Sequence, residues 1–279
     1  MSATTASRRL PTYFLGIGGP NFIENTRHPA HLKLAEIGKE ITTKVKPKAV
    51  VVFSAHWQEG PSSIAINAVE HTDLIYDFHG FPPHYYQIKY PNRGSPEVAD
   101  KVIKKLSAVG IQVDKVKRGL DHGVWVGFLA AFDPVNNPLN VPIVQVSLFN
   151  NEDDGMHYRM GQALEGLRDE GILIVGAGMV AHNLRDFRVM RNTGNVRNMP
   201  YTSTFDDALK EATSAKPEDR RAAMSALMRR PDARQAHPSL EHILPVYVAA
   251  GAAGSDVGER LWTMPEGSLN WAQYRFGTV

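Results

Sequence analysis

The stretch Lys48-Ala49-Val50-Val51-Val52-Phe53 constrains the fold of this chain more than any other. It is short, β-branched and apolar at consecutive positions, the pattern of a strand buried on both faces. Such a strand needs helices on both sides of its sheet, and the sequence supplies them in alternation. Tyr13-Phe14-Leu15 reads as a strand feeding the glycine-rich turn Gly16-Ile17-Gly18-Gly19-Pro20. Residues 31–45 carry Leu34, Ile37, Ile41 and Val45 at helical spacing, and Pro47 ends that helix. Ser95-Pro96-Glu97 is a helix start with a capping serine, Gly110 closes the helix, and residues 111–116 return as a strand. The grammar recurs in the second half, with strands at 141–148 and 171–176 and a helix at 157–168. The fold expected is α/β, a single domain over residues 1–279 with a mostly buried central sheet flanked by helices. Residues 186–238 break the alternation. They are polar, with surface helices expected at 204–213 and 217–229, and read as an insertion or a lid within the domain.

Charge and composition exclude several functions. Lys and Arg total 31 against 29 Asp and Glu, a net charge of +2 with no long basic run, so neither nucleic acid nor a membrane surface is an expected partner. No apolar stretch has the length of a membrane span, and the first ten residues lack the hydrophobic segment of a secretory signal, so a cytoplasmic protein is expected. Cysteine is absent. There is then no disulfide framework and no thiolate ligand, and any metal must be held by histidine and carboxylate.

Four histidines stand where catalytic groups of α/β proteins usually stand, past apolar strands or at helix starts. They are His56 in Ser54-Ala55-His56-Trp57, His122 in Leu120-Asp121-His122-Gly123, His182 in Ala181-His182-Asn183-Leu184, and His242 in Glu241-His242-Ile243-Leu244. Ligands of open α/β sheets bind beyond the carboxyl ends of strands, which places His56 and His182 on one crevice. His28, His31, His71, His84 and His157 lack such contexts and read as structural or solvated. No Gly-Lys-Ser/Thr follows the glycine-rich turn and no nucleophile elbow surrounds Ser54, so neither a nucleotide cofactor nor serine hydrolysis is indicated.

Taken in order, these segments resemble the class III extradiol ring-cleavage dioxygenases, in the branch that includes DOPA 4,5-dioxygenases. The resemblance is carried by Ser54-Ala55-His56-Trp57, Asp77-Phe78-His79-Gly80-Phe81-Pro82, Tyr90-Pro91, Gly94-Ser95-Pro96, Asp121-His122-Gly123-Val124-Trp125, Val144-Gln145-Val146-Ser147, Ala181-His182-Asn183-Leu184-Arg185 and Gly267-Ser268-Leu269. It runs from about residue 13 to the C-terminus. It implies a divalent metal, Fe(2+) or Zn(2+), and a small catecholic or phenolic substrate. The metal ligands it implies are His56 and His242, with His237 in reserve. His182 is implied as a base or an additional ligand, and His122 as an acid, base or substrate contact.

One position departs from the pattern. Aligning Gly18-Gly19-Pro20 with the family's Gly-Ser-Pro puts Ile17 where a ligand histidine belongs, and isoleucine has no lone pair to donate. A three-histidine site of His56, His242 and His182 remains chemically reasonable. Three readings follow: a ring-cleavage dioxygenase-like oxidoreductase, a metal-independent acid-base enzyme built on His122 and His182 with no cofactor, or a non-catalytic binding protein that retains a degenerate pocket. Substrate contacts are expected from Trp57, His79 and Arg185, the last because guanidinium forks match carboxylates. Packing in the aromatic core for Trp57, and an internal ion pair for Arg185, stand as alternatives. Asp121 either orients His122 or simply starts a helix. The oligomeric state is unknown from sequence.

Overall fold

The computed structural model describes residues 9–279, so the polar N-terminal segment read above lies almost wholly outside the described residues. Eleven strands are formed among them: β1 (Thr12–Gly16), β2 (Ala49–Gln58), β3 (Ser63–Asn67), β4 (Gln112–Val116), β5 (Ile143–Leu148), β6 (Ile172–Gly178), β7 (Ala181–His182), β8 (Gly258–Trp262), β9 (Pro265–Glu266), β10 (Leu269–Asn270) and β11 (Gln273–Phe276). Eight of them form one mixed sheet in the order β4-β3-β5-β2-β6-β1-β11-β8. Its centre is parallel, β5 with β2, β2 with β6 and β6 with β1, while β11 and β8 add antiparallel strands at one side. The run that opened the sequence reading lies in β2, in the middle of this sheet. The strand continues past Phe53 to Gln58, so His56 sits on the strand itself rather than after it.

Helices cover both faces, as a strand buried on both sides demands. They are α1 (Pro29–Glu40), α2 (Pro96–Ser107), α3 (His122–Ala131), α4 (Asp154–Leu164), α5 (Leu184–Thr193), α6 (Pro200–Thr213), α7 (Pro217–Leu227), α8 (Ala233–Ala236) and α9 (Leu244–Ala252). Side chains alternate across the sheet. Val51, Phe53, Ile172 and Ile174 face a core shared with α2, α4, α6, α7 and α9. Val50, Val52, Leu173 and Val175 face a second core shared with α1 and α3. The helix starts read from sequence take their expected form: Ser95 Oγ accepts from Val98 N, and Gly110 adopts φ 80° just past α2.

Two expectations change. The helix at 31–45 begins earlier, at Pro29, because His28 caps it by accepting from Ala30 N, and it ends in a wider π turn over Ile41–Val45. The helices expected on the surface within 186–238 are amphipathic rather than superficial. Tyr201, Phe205 and Leu209 of α6, with Met224 and Leu227 of α7, belong to the larger core. Burial of these side chains, each contributing on the order of 2 kcal/mol, ties this stretch to the body of the fold.

Candidate active site

The carboxyl ends of β2, β6 and β1 are neighbours, and the chain that leaves them builds one cavity of about 530 Å³. All four histidines singled out from sequence line it. His56 comes from β2, His122 from the first turn of α3, His182 from β7, and His242 from the turn entering α9. Two carboxylates, Asp77 and Glu241, join them.

Asp77 organises the first group. One carboxylate oxygen lies 3.0 Å from His56 Nδ1, and the other 2.7 Å from His122 Nδ1 and 2.9 Å from His122 N, which donates to it. The two imidazoles meet edge to face with ring centres 4.1 Å apart. That approach depends on Gly123, where a Cβ would lie 2.7 Å from Ser54 Oγ and 2.8 Å from His56 Cδ2. Burial alone raises the Asp77 carboxyl, yet the hydrogen bonds from His122 and His56 hold it well below the usual carboxylate range. Burial likewise lowers the His56 imidazole, but its bond to Asp77 and the charges of Asp121, Asp77 and Glu241 outweigh that and raise it. An ionised Asp77 facing both Nδ1 atoms selects the tautomer with Nδ1 protonated, which leaves each Nε2 with a lone pair.

The second group is governed by burial. His182 and His242 stack with ring centres 3.4 Å apart and planes 13° from parallel. Glu241 Oε1 lies 3.0 Å from His242 Nδ1. Burial pushes both imidazoles well below their ordinary value, and neighbouring histidines push the same way, His242 acting on His182 and His56 on His242. β7 holds His182 in place by pairing with Leu269 of β10. His242 also borders the first group, its ring centre 5.3 Å from that of His56.

Donor atoms therefore gather as two sets, His56 with Asp77 and His122, and His182 with Glu241 and His242, the atoms of each set lying within 4.8 Å of one another. The expected set of His56, His182 and His242 spans the two, joined at His242, which stacks on His182 and borders His56. Imidazole and carboxylate are donors that divalent iron and zinc accept, so the residues present fit such an ion. Ile17 lines the same cavity and offers no donor; it is 2% exposed and seated against Gly127 of α3, where a Cβ would fall 2.3 Å from its Cγ2.

Other sequence expectations resolve differently. His237 does not line the cavity: it is fully buried, its Nε2 2.7 Å from Val180 O, which leaves His242 as the histidine of that segment at the site. Trp57, His79 and Arg185, expected at the substrate, are likewise absent from the cavity walls. Trp57 is buried beside His56, with its indole donating to Glu59 and the Arg118 guanidinium 4.3 Å above its ring. His79 and Arg185 are exposed to solvent, each following a residue whose side chain is turned inward or to the rim, Phe78 and Leu184. Asp121 does not orient His122; it accepts from Ser54 Oγ at 2.7 Å and Gln145 Nε2 at 2.5 Å, fastening the start of α3 to β2 and β5. The reading from sequence missed the bridge at Asp77, the part of Glu241, and Trp271, whose ring walls the cavity and whose Nε1 donates to Glu266. The sequence signal for Glu241 was its place next to His242.

Four histidines and two carboxylates at the carboxyl ends of parallel strands define a class: an α/β enzyme working on a small molecule in a partly apolar, imidazole-lined cleft. The chain belongs to the family of the catalytic LigB subunit of aromatic ring-opening dioxygenase, whose model matches residues 11–270, and it is an extradiol aromatic ring-opening dioxygenase-like enzyme. It is 34% identical to a 4,5-DOPA dioxygenase extradiol of Beta vulgaris over 95% of this chain and 96% of that one. With a 4,5-DOPA dioxygenase extradiol of Escherichia coli (strain K12) it shares 32% identity over 88% of this chain and 86% of the relative. The crystal structure of an uncharacterized protein from Escherichia coli K12 is similar with a TM-score of 0.75 at 28% identity, covering 96% of this chain and all of the other. Among the described residues no helix is long and apolar enough to cross a membrane.

Proposed function

We propose that this protein opens the ring of a small catecholic or phenolic compound with dioxygen at a divalent iron held by His56, His182 and His242, donors that would also take zinc, though zinc would bring no redox chemistry. The observation that carries the reading is the convergence of these three imidazoles with His122, Asp77 and Glu241 on one cavity whose remaining wall is largely apolar. Family membership and the names of the relatives support an aromatic substrate and dioxygenase chemistry. The ion, when bound, would act as a Lewis acid toward the hydroxyl oxygens of the substrate.

The chain's own residues supply the rest. Asp77 fixes the tautomer of His122, whose Nε2 is then available to take a proton from a substrate hydroxyl and return it later. His182, kept neutral by burial, keeps its lone pair for the ion. Phe81, Phe187 and Trp271 present aromatic and apolar surface that keeps water from the reacting ring.

Elemental analysis of protein purified without chelator tests the reading, together with oxygen uptake on a panel of catechols. Bound iron and oxygen consumption that stops in His242→Ala are expected. A second reading draws on the donorless Ile17 and on the Asp77-bridged histidine pair: acid-base catalysis by His122 and His182 without metal. Turnover that survives both strong chelation and exclusion of oxygen, and is lost in His182→Ala, would replace the first reading with this one.

A further inference from the structure

The charges around the cavity say which catechols it accepts, an inference that rests on the proposed ring-opening reading. Among the described residues that line the cavity there is no lysine and no arginine. Arg185, the guanidinium expected to meet a substrate carboxylate, is exposed to solvent and outside the wall. The two formal charges on the lining are negative, Asp77 and Glu241.

Backbone dipoles do not make up the deficit. Two helices begin at the cavity, α3 with His122 and Gly123 and α5 with Leu184, and helix N-termini attract anions. Each already has its anion. At α3 the N–H of His122 donates to Asp77. At α5 the cap Asn183 accepts from Asp186 N, and Asp186 itself stands in the first turn.

Asp77 is not free to greet a cation either, and Glu241 is half engaged. Both oxygens of Asp77 are engaged by His56 and His122, and Glu241 Oε1 by His242 and Ser239. What remains for the part of the substrate beyond its hydroxyls is apolar: Ile17, Phe81, Met179, Leu184, Phe187 and Trp271. A carboxylate placed there would be desolvated with no lysine or arginine to pair with, and such burial is costly.

We infer that the cavity favours a catechol whose ring substituent is apolar and discriminates against carboxylated catechols. The test compares two near-isosteric probes, 4-ethylcatechol and 3,4-dihydroxyphenylacetate, binding anaerobically to the protein as purified. Quenching of tryptophan fluorescence reports occupancy, since Trp271 forms part of the wall. The ethyl compound is expected to bind at least about tenfold more tightly than the acid, a loss consistent with an unpaired buried charge. In Leu184→Arg, which places a guanidinium at the rim, the ratio of the two dissociation constants is expected to fall by about tenfold, the size of one charge-assisted pairing. Equal or tighter binding of the acid by the unaltered protein overturns the inference and leaves the ring-opening reading intact. A ratio that stays the same in Leu184→Arg overturns its electrostatic basis. Binding of neither probe removes the catechol reading itself, and the inference with it.

Discussion

The two histidine pairs in the cavity are built from the same side chain and behave oppositely. His56 and His122 share one ionised carboxylate, and His56 is raised despite burial. His182 and His242 stack face to face away from water, and both are driven toward the neutral form. The difference teaches that environment assigns the roles. A carboxylate that fixes tautomers leaves Nε2 free, at His122 for proton transfer and at His56 for a metal, whereas desolvation keeps His182 and His242 neutral and able to donate lone pairs.

The largest effect expected on this contrast is at the stacked pair. His242→Ala should weaken divalent-ion binding by roughly 10³-fold, about 4 kcal/mol, as read by competition with a calibrated chelator. His122→Ala in the other pair should leave that affinity within about threefold while lowering turnover, since acid-base groups typically contribute about 10²-fold or more. Equal losses of ion binding in both variants would erase the distinction between the pairs.

Outside the cavity, the buried imidazole of His157 serves as a reference for desolvation outweighing hydrogen bonds. His157 is fully buried under the sheet, its ring 2.7 Å from Asp153 O and accepting from Phe149 N, and burial pushes its pKa down to about 4 from 6.5. Because the unfolded chain binds the proton at the higher pH, stability from a neutral His157 is complete above about pH 6.5 and is lost as the pH falls toward 4. The loss amounts to about 3 kcal/mol over that window. Denaturant titrations between pH 7 and pH 4 should show a shallower fall for His157→Gln than for the unaltered chain; parallel curves would contradict the assignment.

Smaller effects sharpen the clamped pair. Asp77→Asn keeps the shape but removes the charge that holds both Nδ1 protons, and a loss of about 10–100-fold in turnover is expected with little change in thermal midpoint. Unfolding in place of a kinetic defect would mark Asp77 as a structural brace instead. Smallest is Ile17→His, which adds a donor to the cavity and should tighten divalent-ion binding by about tenfold. No change there would mean that the turn at 16–20 has been aligned wrongly.

Much of the fold was legible because its signals are local. The β-branched run of β2, the Ser95 cap and the closing Gly110 each depend on a few consecutive residues, and each took its expected form. The helices between 200 and 227 were legible as helices and illegible as core: Phe205, Leu209, Met224 and Leu227 are spread among polar neighbours, and only packing shows that they point inward. The site divided in the same way. Four histidines were recognisable from their segments, and all four reach the cavity. Trp57, His79 and Arg185 shared those segments, yet neighbours in sequence do not share a direction, and none of the three lines the wall.

By itself the sequence determined the donor chemistry available to this protein: no thiol, four histidines in suitable contexts, and an isoleucine in the turn after the first strand. Local composition is enough for that, since a side chain carries its lone pairs wherever it goes. Only the tertiary structure decided which donors meet. Asp77 is 21 residues from His56 and 45 from His122, and their meeting follows from where β2, the loop after β3 and α3 converge. The same convergence left the wall of the cavity without a lysine or arginine among the described residues, a property of no single segment and therefore invisible until the chain is folded.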